Sequence, residues 1–368
     1  MLIPGDSIGR NYFLMRTIKI MLFGKHSCRT PLSYEPYQGL AKRKIEFEQD
    51  PANADILLTG FSKDFHDQYS NLKEILEANK SLRLLIISEE PLWDTIYASE
   101  YQASIVNNLT YLTRDEEIPV HYYAHHNSEL FDYETIPYFL TTELRYSLRY
   151  LLFINSWLRS SAGERMNRYK ENRKQFTMIA EKRTEPWFEY SNPNLRLAGL
   201  SLIRSQIGLG MASDSDVYGK GFDAYAIARQ QLPDWHLDKI SRTYCRYHVM
   251  SAIENTLHSN YVTEKIFDAF ACSAMPLYCA NADHSVYSML GLTSLINIYG
   301  LSTTEACDAI RSFNWSSDAI EAYEADALNI FNRFSDLGSI RNDMISRCNE
   351  IIRICETLLD SENKIVHV

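Results

Sequence analysis

"ENTLHSNYVTEKIFDAFACSAMPLYCA", residues 254–280, places a polar loop, an amphipathic helix and a short apolar strand in immediate succession. The apolar stretch "RYHVMSAIE" (246–254) precedes it and is typical of a strand. A strand, a helix and a second strand in this order form a βαβ unit, whose two strands are parallel. The segment therefore predicts an α/β fold, with the polar loop at the carboxyl edge of the sheet, where ligands bind in such folds.

The helix in this segment has two distinct faces, and Asn260 is the expected N-cap before a start near Tyr261. The apolar face is expected to be buried, and it consists of Val262, Ile266, Ala269 and Phe270. The polar face lies on the first two turns and consists of Tyr261, Glu264, Lys265 and Asp268. A helix N-terminus with a lysine suits phosphate, and a glutamate there can accept hydrogen bonds from sugar hydroxyls. A solvated Glu–Lys pair with no ligand is the alternative.

The rest of the chain repeats the strand–helix alternation in two series. Strands are expected at 17–24, 54–62 and 82–88, and again at 174–182, 246–254, 274–279 and 294–300. A helix is expected at 195–208, ending at Gly208, and the spacing is helical from about Ser316 nearly to the end. A basic helical stretch near 145–174 separates the two series, so we expect two α/β units.

Composition limits the function classes. The 368 residues carry a net charge of −10, which argues against a broad nucleic-acid-binding surface. The seven scattered cysteines contain no C-x-x-C pair, which indicates free thiols in a reducing compartment. The N-terminus does not have the pattern of a secretory leader, and no apolar run reaches 18 residues. We therefore expect a cytoplasmic protein without a transmembrane segment, and peripheral membrane contact stays open.

Residues 254–280 resemble the donor-binding motif of the α-1,3/4-fucosyltransferases, glycosyltransferase family 10. In that family E-N-S and a short polar loop precede Y-[IV]-T-E-K at a helix start, and a strand containing proline follows. The positions in register are Glu254, Asn255, Tyr261, Val262, Thr263, Glu264, Lys265 and Pro276. "DVYGKG" (216–221) and "SNPNLR" (191–196) resemble two further segments of the family. The resemblance covers about residues 174–300 and is of the bacterial soluble type.

The resemblance implies the GT-B fold, in which two Rossmann-like domains face each other across a cleft. We accordingly expect an acceptor-binding α/β domain at 1–155 and a Rossmann-like domain for the GDP-sugar at 156–335. Residues 336–368 are expected to form a C-terminal helix that packs back across the domain boundary. The implied reaction moves fucose from GDP-fucose, with inversion, to a hydroxyl of an acceptor glycan such as a polysaccharide precursor. The implied linkage is α-1,3 to a GlcNAc- or Glc-type acceptor.

The resemblance also implies the donor site, which comprises Arg196, Glu254, Asn255, Tyr261, Thr263, Glu264 and Lys265. Arg196, Lys265 and the helix N-terminus would stabilise the charge that develops on the diphosphate. Glu264 and Tyr261 would hold ribose or fucose hydroxyls, while Glu254 and Asn255 shape the loop. The segment "EKRTEPWFEY" (181–190) lengthens the loop before "SNPN", so Arg183 competes with Arg196 for the diphosphate.

Inverting transfer needs a carboxylate that removes the proton of the acceptor hydroxyl. "LLIISEEPLW" (84–93) offers Glu89 and Glu90 at the carboxyl end of a predicted strand. The family has a carboxylate in a Glu-x-Pro-like context, and Glu89 lies two residues before Pro91, so Glu89 is the predicted general base. Adjacent side chains on a strand point to opposite faces, which makes Glu90 the competitor that should face away. His125 and His126 are a further alternative.

No cofactor or metal is expected beyond the donor substrate GDP-fucose. "DSD" (214–216) has the form of a D-x-D metal motif, but it continues into "VYGKG", which resembles the fucosyltransferase turn instead. Two alternatives to a GDP-fucose-dependent fucosyltransferase stay open. One is a GT-B enzyme that uses another sugar nucleotide, and the other is a non-catalytic protein that binds a nucleotide sugar or a glycan.

Overall fold

The computed structural model describes residues 16–90, 118–171, 173–213, 215–223 and 231–360, and the backbone of 109–111. The N-terminal half forms a six-stranded sheet with helices along it. Its strands are β1 (Ile18–Leu22), β2 (Ile45–Phe47), β3 (Ile56–Thr59), β4 (Arg83–Ile87), β5 (Leu109–Tyr111) and β6 (Pro119–Tyr123). Its helices are α1 (Glu35–Ala41), α2 (Ser62–Asp67) and α3 (Tyr69–Ala78). The strand order is β2-β1-β3-β4-β6-β5, and every pairing is parallel except that of β5 with β6.

Three helices lead from the first sheet to the second: α4 (Tyr138–Thr141), α5 (Arg145–Leu158) and α6 (Ala162–Lys170). The next elements are β7 (Lys174–Ile179), β8 (Ser191–Asn192), β9 (Leu197–Gly199), α7 (Ser201–Met211), β10 (Ser215–Tyr218) and α8 (Trp235–Thr243). They are followed by β11 (Tyr247–Ser251), β12 (Thr256–Leu257), α9 (Glu264–Ala271), β13 (Met275–Tyr278), α10 (Ser285–Ser288) and β14 (Ile296–Asn297). The chain then forms α11 (Thr303–Ser312), α12 (Ser317–Ser335) and α13 (Leu337–Asp360).

The second sheet is parallel throughout, in the order β10-β7-β11-β13-β14. Its first strand along the chain, β7, lies between the second and the third, so the strand order reverses there. The first sheet has the same reversal, with β1 between β2 and β3. The reversal point at the carboxyl edge is where open α/β sheets bind ligands. A small antiparallel sheet, β12-β9-β8, covers part of this edge of the second sheet.

The two sheets meet at their carboxyl edges. The Nδ2 atom of Asn255, after β11, donates a hydrogen bond to Glu90, after β4, at 3.0 Å. The predicted α/β fold with two Rossmann-like domains facing a cleft is therefore confirmed. Helix α13 packs across both domains: Ile340 and Met344 lie in the core of the second sheet, while Ile351 and Leu358 lie in the core of the first. The prediction that the C-terminal helix packs back across the domain boundary is confirmed as well.

The domain limits at 155 and 335 stay a prediction. Tyr150 and Ile154 of α5, which these limits assign to the N-terminal domain, are buried in the core of the second sheet. They pack there against Phe267 and Phe334, among others. Helix α5 thus contributes to the domain of the second sheet before the predicted limit. Among the described residues, no helix is long and apolar enough to cross a membrane.

The helix predicted at 195–208 begins and ends later than expected. Leu197–Gly199 is a strand, because Ala198 and Gly199 pair with the β12 residues Leu257 and Thr256, and α7 runs on through Gly208 to Met211. A Cβ atom on Gly208 would lie 2.2 Å from the Cε of Met178. The glycine therefore lets α7 lie close against β7 instead of ending the helix.

Candidate functional site

The loop between β11 and α9 is organised around the buried carboxylate of Glu254. Its Oε1 accepts hydrogen bonds from the backbone N–H and the hydroxyl of Thr263, both at 2.8 Å. Thr263 is the residue before α9, so the helix begins at Glu264, and the predicted start near Tyr261 was wrong by three residues. Asn260 is not the N-cap; its amide contacts His258 and Asp132. The acceptor at this helix terminus is thus the side chain of Glu254, which follows the preceding strand. The spacing of residues within the helix does not reveal such a contact.

Lys265 is held by the same carboxylate. Its Nζ lies 2.8 Å from Oε2 of Glu254, 2.7 Å from the hydroxyl of Thr263 and 3.5 Å from Oε1 of Glu264. Burial by itself would lower the pKa of Lys265, but the two carboxylates outweigh it and raise the pKa above its ordinary value. Burial also raises the pKa of Glu254, and Lys265 partly opposes that shift. The lysine is thus a fixed cation at the cleft, with 23% of its side chain exposed.

The structure separates the two arginines proposed for the diphosphate. Arg196 is exposed, has a left-handed backbone with φ 52°, and lies in the β8–β9 turn near His258 rather than beside Lys265. Arg183 lies after β7, with its guanidinium 2.5 Å from Glu181 and its backbone N–H bonded to the hydroxyl of Ser205 in α7. The role predicted for Arg196 stays a prediction, and Arg183 stays its competitor.

Arg204 on α7 is a cation of the site that sequence reasoning missed. Its Nη1 donates to the carbonyl oxygen of Ile253, the residue before Glu254, at 3.2 Å, and its Nε is buried without a hydrogen-bond partner. Burial lowers its pKa, and the Glu254 and Glu264 carboxylates oppose this shift. Little in the sequence indicated Arg204, because it lies within an amphipathic helix. The sequence pattern does not show which residues of that helix face the site.

Of the two adjacent glutamates after β4, Glu89 is completely buried. Its oxygens accept hydrogen bonds from the phenols of Tyr34, at 2.9 Å, and of Tyr138. Burial raises the pKa of Glu89 to about 7, and the two phenol hydrogen bonds and Arg29 reduce that shift. A pKa near 7 suits a general base. However, no part of this side chain is exposed, so an acceptor hydroxyl does not reach it in this conformation.

Glu90 faces the opposite domain. Its Oε2 accepts hydrogen bonds from Nδ2 of Asn255 at 3.0 Å and from the phenol of Tyr261 at 3.2 Å. Arg29, from the loop after β1, lies 3.8 Å from its other oxygen. The observed orientation of the two glutamates is thus the reverse of the expected one. Glu89 shares the face of Leu85 and Ile87, and that face is covered by aromatic side chains and α13. Pro91, which guided the choice of Glu89, lies outside the described residues.

Aromatic rings and histidines line the seam next to this contact. His125, after β6, stacks on Phe131 with ring centroids 4.1 Å apart and meets the edge of Tyr261 at 5.1 Å. Burial lowers the pKa of His125 well below its ordinary value. Burial also lowers the pKa of His126 to about 4, and His258 adds to both shifts. The lowered pKa values favour the neutral form of both imidazoles at pH 7.

Of the two aspartates in "DSD", only Asp216 is described, and its contacts do not support a D-x-D metal motif. Asp216 lies on β10, where it pairs with Lys174 at 2.7 Å and accepts from the phenol of Tyr247 at 2.5 Å. Asp214 lies outside the described residues. Within the part of the chain that the structure describes, no group of three histidine, cysteine, aspartate or glutamate side chains could hold a metal ion.

Residues 208–325 match a family model described as glycosyltransferase family 10 (fucosyltransferase), C-terminal. A solved alpha1,3-fucosyltransferase with GDP-fucose is 13% identical, with coverage of 83% of this chain and 81% of that chain and a TM-score of 0.42. A second alpha1,3-fucosyltransferase structure is 13% identical over 94% and 90%, with a TM-score of 0.44. A trehalose 6-phosphate synthase from Burkholderia multivorans is 9% identical over 94% and 73%, with a TM-score of 0.35. No curated protein matches the chain.

Proposed function

We propose that this chain is a fucosyltransferase of glycosyltransferase family 10, which transfers fucose from GDP-fucose to a glycan hydroxyl; the match of residues 208–325 to the family model supports the proposal. The observation that carries the proposal is the contact of Glu90 with Asn255 and Tyr261. It brings a carboxylate of one domain against the matched segment of the other. That is the arrangement needed when a base on the acceptor side serves a donor bound on the opposite side.

We propose that Lys265 and Arg204 hold the diphosphate of the donor. The ammonium group of Lys265 has three donors, and its contact with Glu264, at 3.5 Å, is the longest of the three. A phosphate oxygen can replace Glu264 there, which releases that carboxylate for a hydroxyl of the ribose or of fucose. Arg204 offers its buried Nε, which has no hydrogen-bond partner. Both cations would stabilise the negative charge that develops on GDP as it leaves.

We propose that Glu90 is the general base. The acceptor oxygen attacks C1 of fucose, the bond from C1 to the phosphate oxygen breaks, and the acceptor proton passes to the Glu90 carboxylate. Glu89 then acts as the support beneath it, held by Tyr34 and Tyr138. Glu89 stays the alternative base, since its pKa of about 7 suits the role if the phenols release it.

The linkage and acceptor we propose are α-1,3 and a GlcNAc- or Glc-type sugar of a polysaccharide precursor. These proposals come from the resemblance of the donor segment. On the acceptor side, the Glu90 side chain is 15% exposed and lies 3.8 Å from Arg29, so charged groups are available there for sugar hydroxyls. We also propose that the reaction needs no metal, because cationic side chains are available for the diphosphate.

The test measures GDP release from GDP-fucose, from GDP-mannose and from another sugar nucleotide, with a panel of acceptor sugars and in the presence of EDTA. We expect acceptor-dependent release from GDP-fucose that survives EDTA. Release from a different sugar nucleotide alone would favour a GT-B enzyme of other donor specificity. Binding of GDP-fucose without any release would favour a non-catalytic binding protein. Loss in EDTA with recovery in Mn²⁺ would return Asp214 and Asp216 to consideration.

A further inference from the structure

The loop after β1 carries a histidine that the proposed mechanism leaves without a role. His26 lies in the segment 24–30, which follows β1. Because β1 lies between β2 and β3, this segment begins where the strand order of the first sheet reverses. Ligands bind at the carboxyl edge of an open α/β sheet beside such a reversal. His26 therefore lies where the topology of the first sheet predicts a ligand site.

A buried carboxylate on α2 holds the imidazole of His26. Asp64 is buried, and its Oδ1 lies 2.7 Å from Nδ1 of His26. Its Oδ2 accepts hydrogen bonds from the backbone N–H of His26 at 2.8 Å and from the hydroxyl of Thr59 at 2.7 Å. Because a carboxylate only accepts hydrogen bonds, Nδ1 is the ring nitrogen that donates to it. The pairing thus fixes both the orientation of the ring and the nitrogen that carries its proton.

The other ring nitrogen of His26 is open. Among the described residues, none forms a hydrogen bond with its Nε2, and 31% of the side chain is exposed. When Nδ1 donates to Asp64, Nε2 of the neutral ring carries a lone pair and accepts. Phe61 meets the imidazole with ring centroids 5.0 Å apart. The result is an oriented hydrogen-bond acceptor at the sheet edge, which suits a hydroxyl group.

Close packing holds the loop 24–30 in this geometry. Gly24 has φ +84°, and a Cβ atom there would lie 2.4 Å from the Cβ of Asp64. A Cβ atom on Gly60, the residue after β3, would lie 2.2 Å from the carbonyl oxygen of Arg29. Only glycine permits both approaches. The loop is therefore packed directly against the end of β3 and the start of α2.

The same loop reaches the proposed general base. The backbone N–H of Arg29 donates to the carbonyl oxygen of His26 at 2.9 Å, so the two residues share one turn. The guanidinium of Arg29 lies 3.8 Å from Glu90. An acceptor glycan whose reacting hydroxyl lies at Glu90 can therefore extend along this turn.

We propose that His26 binds the acceptor glycan, with Nε2 accepting a hydrogen bond from a sugar hydroxyl other than the one that reacts. Asp64 is the positioning residue that holds the ring for this contact. The inference rests on the proposed function and adds an acceptor-binding residue to it. His26 takes no part in bond breaking, since the proton of the reacting hydroxyl passes to Glu90. Loss of Nε2 should therefore raise the KM for the acceptor and spare the chemical step.

The decisive variant is His26→Asn, whose amide can still donate to Asp64 from nearly the position of Nδ1 but has no group in place of Nε2. The rate of GDP release is measured against disaccharides that carry N-acetylglucosamine or glucose at the reducing end. We expect the KM for the disaccharide to rise about 3- to 10-fold, the usual effect of losing one neutral hydrogen bond, with kcat within about 2-fold. GDP affinity, measured by titration calorimetry, should not change.

Thr59→Val is the matched control, because it removes a different donor from the same carboxylate of Asp64. It should lower the temperature of thermal unfolding and leave the KM for the disaccharide unchanged. A wild-type KM in His26→Asn would overturn the inference, because the histidine would then only tie the loop to α2. An equal rise of KM in both variants would overturn it as well, since distortion of the loop would explain the loss.

Cys28 provides a second measurement, which needs no turnover. It is exposed, whereas Cys245 is partly exposed and the other five cysteines are buried. Saturating disaccharide with GDP should slow the labelling of Cys28 by iodoacetamide, followed by peptide mass spectrometry, and leave Cys245 unaffected. Unchanged labelling of Cys28 beside normal GDP release would overturn the inference and leave the proposed function intact. A wild type that releases no GDP with any acceptor would overturn the proposed function, while the labelling still shows whether a glycan binds at this loop.

Discussion

The two facing sheet edges have the same strand reversal but opposite chemistry. The N-terminal edge combines the Glu90–Arg29 pair, at 3.8 Å, with groups whose burial favours the neutral form, namely Glu89 of pKa about 7 and His126 of pKa about 4. The C-terminal edge keeps its groups charged and paired, as in the contact of Lys265 with Glu254 at 2.8 Å. In the proposed function, the first edge accepts a proton and the second meets a diphosphate. The shared topology determines where a ligand site can form, and the residues of the loops determine the chemistry of that site.

The largest effect should come from removing the base on the N-terminal edge. We expect Glu90→Gln to cut turnover by roughly 10²–10⁴, the usual contribution of a positioned general base, because glutamine keeps the size but loses the basic oxygen. Single-turnover kinetics with saturating GDP-fucose measure this. Affinity for GDP should stay within a few-fold, since the diphosphate contacts lie in the other domain.

Glu89→Gln is the matched control for that experiment, because it makes the same chemical change one residue away. Turnover should stay within about 10-fold of the wild type, a loss smaller than that of a base. The opposite result, an inactive Glu89→Gln and an active Glu90→Gln, would show that Glu89 rotates out of its phenol contacts and is the base. Activity in both variants would direct attention to His125 and His126.

The next effect concerns the charged edge. We expect Lys265→Met to weaken GDP binding by about 10- to 100-fold, the cost of a charge-assisted phosphate contact, and titration calorimetry measures it. The change also leaves Glu254 without its cation, so stability must be followed by thermal unfolding. Lys239→Met is the matched control: Lys239 lies 2.7 Å from the buried Asp268 of the same helix α9. It should lower stability but not GDP affinity, and an equal loss of affinity in both variants would contradict a direct role for Lys265.

The last effect concerns stability rather than activity: it is a pH dependence that comes from Glu89 at the N-terminal edge. Burial raises the pKa of Glu89 from an ordinary value of 4.5 to about 7 in the folded protein. The folded chain therefore holds a proton that the unfolded chain releases between these pH values. This contribution to stability is fully present below pH 4.5 and is lost as pH rises through 7. The change in the free energy of unfolding is on the order of 3 kcal/mol.

Urea unfolding of the wild type and Glu89→Gln between pH 4.5 and 8 measures this contribution. We expect the stability of the wild type relative to the variant to decline over that range. His126 and His284, whose pKa values burial lowers to about 4, act in the opposite direction: their contribution is lost as pH falls from 6.5 towards 4. Both proteins contain these histidines, so their contributions cancel in the difference in stability between the wild type and Glu89→Gln. A difference that does not vary with pH would contradict an ionisable, buried Glu89.

Much of the fold followed from the sequence because local patterns determined it. The parallel strands β1, β3, β4, β7, β11 and β13 all lie within apolar runs, and α9 lies within the segment that suggested a helix. The boundaries were less predictable. Helix α9 starts at Glu264 because Glu254 binds the backbone N–H of Thr263, a contact between residues nine positions apart. Helix α7 starts late because the preceding residues pair with β12.

The sequence by itself determined which residue types are available at the cleft: adjacent carboxylates after β4, a Glu–Lys pair at the start of α9, and arginines in and after the lengthened loop. Only the tertiary structure decided which of them meet. Glu89 is buried and Glu90 faces Asn255, because α13 and the Tyr138 region cover one face of the first sheet. Arg204 lies beside the segment 254–265, because α7 turns it towards the carbonyl oxygen of Ile253. The physical reason is that the periodicity of a strand or a helix fixes how its side chains point relative to one another. The elements that pack against it decide which face is buried and which is exposed.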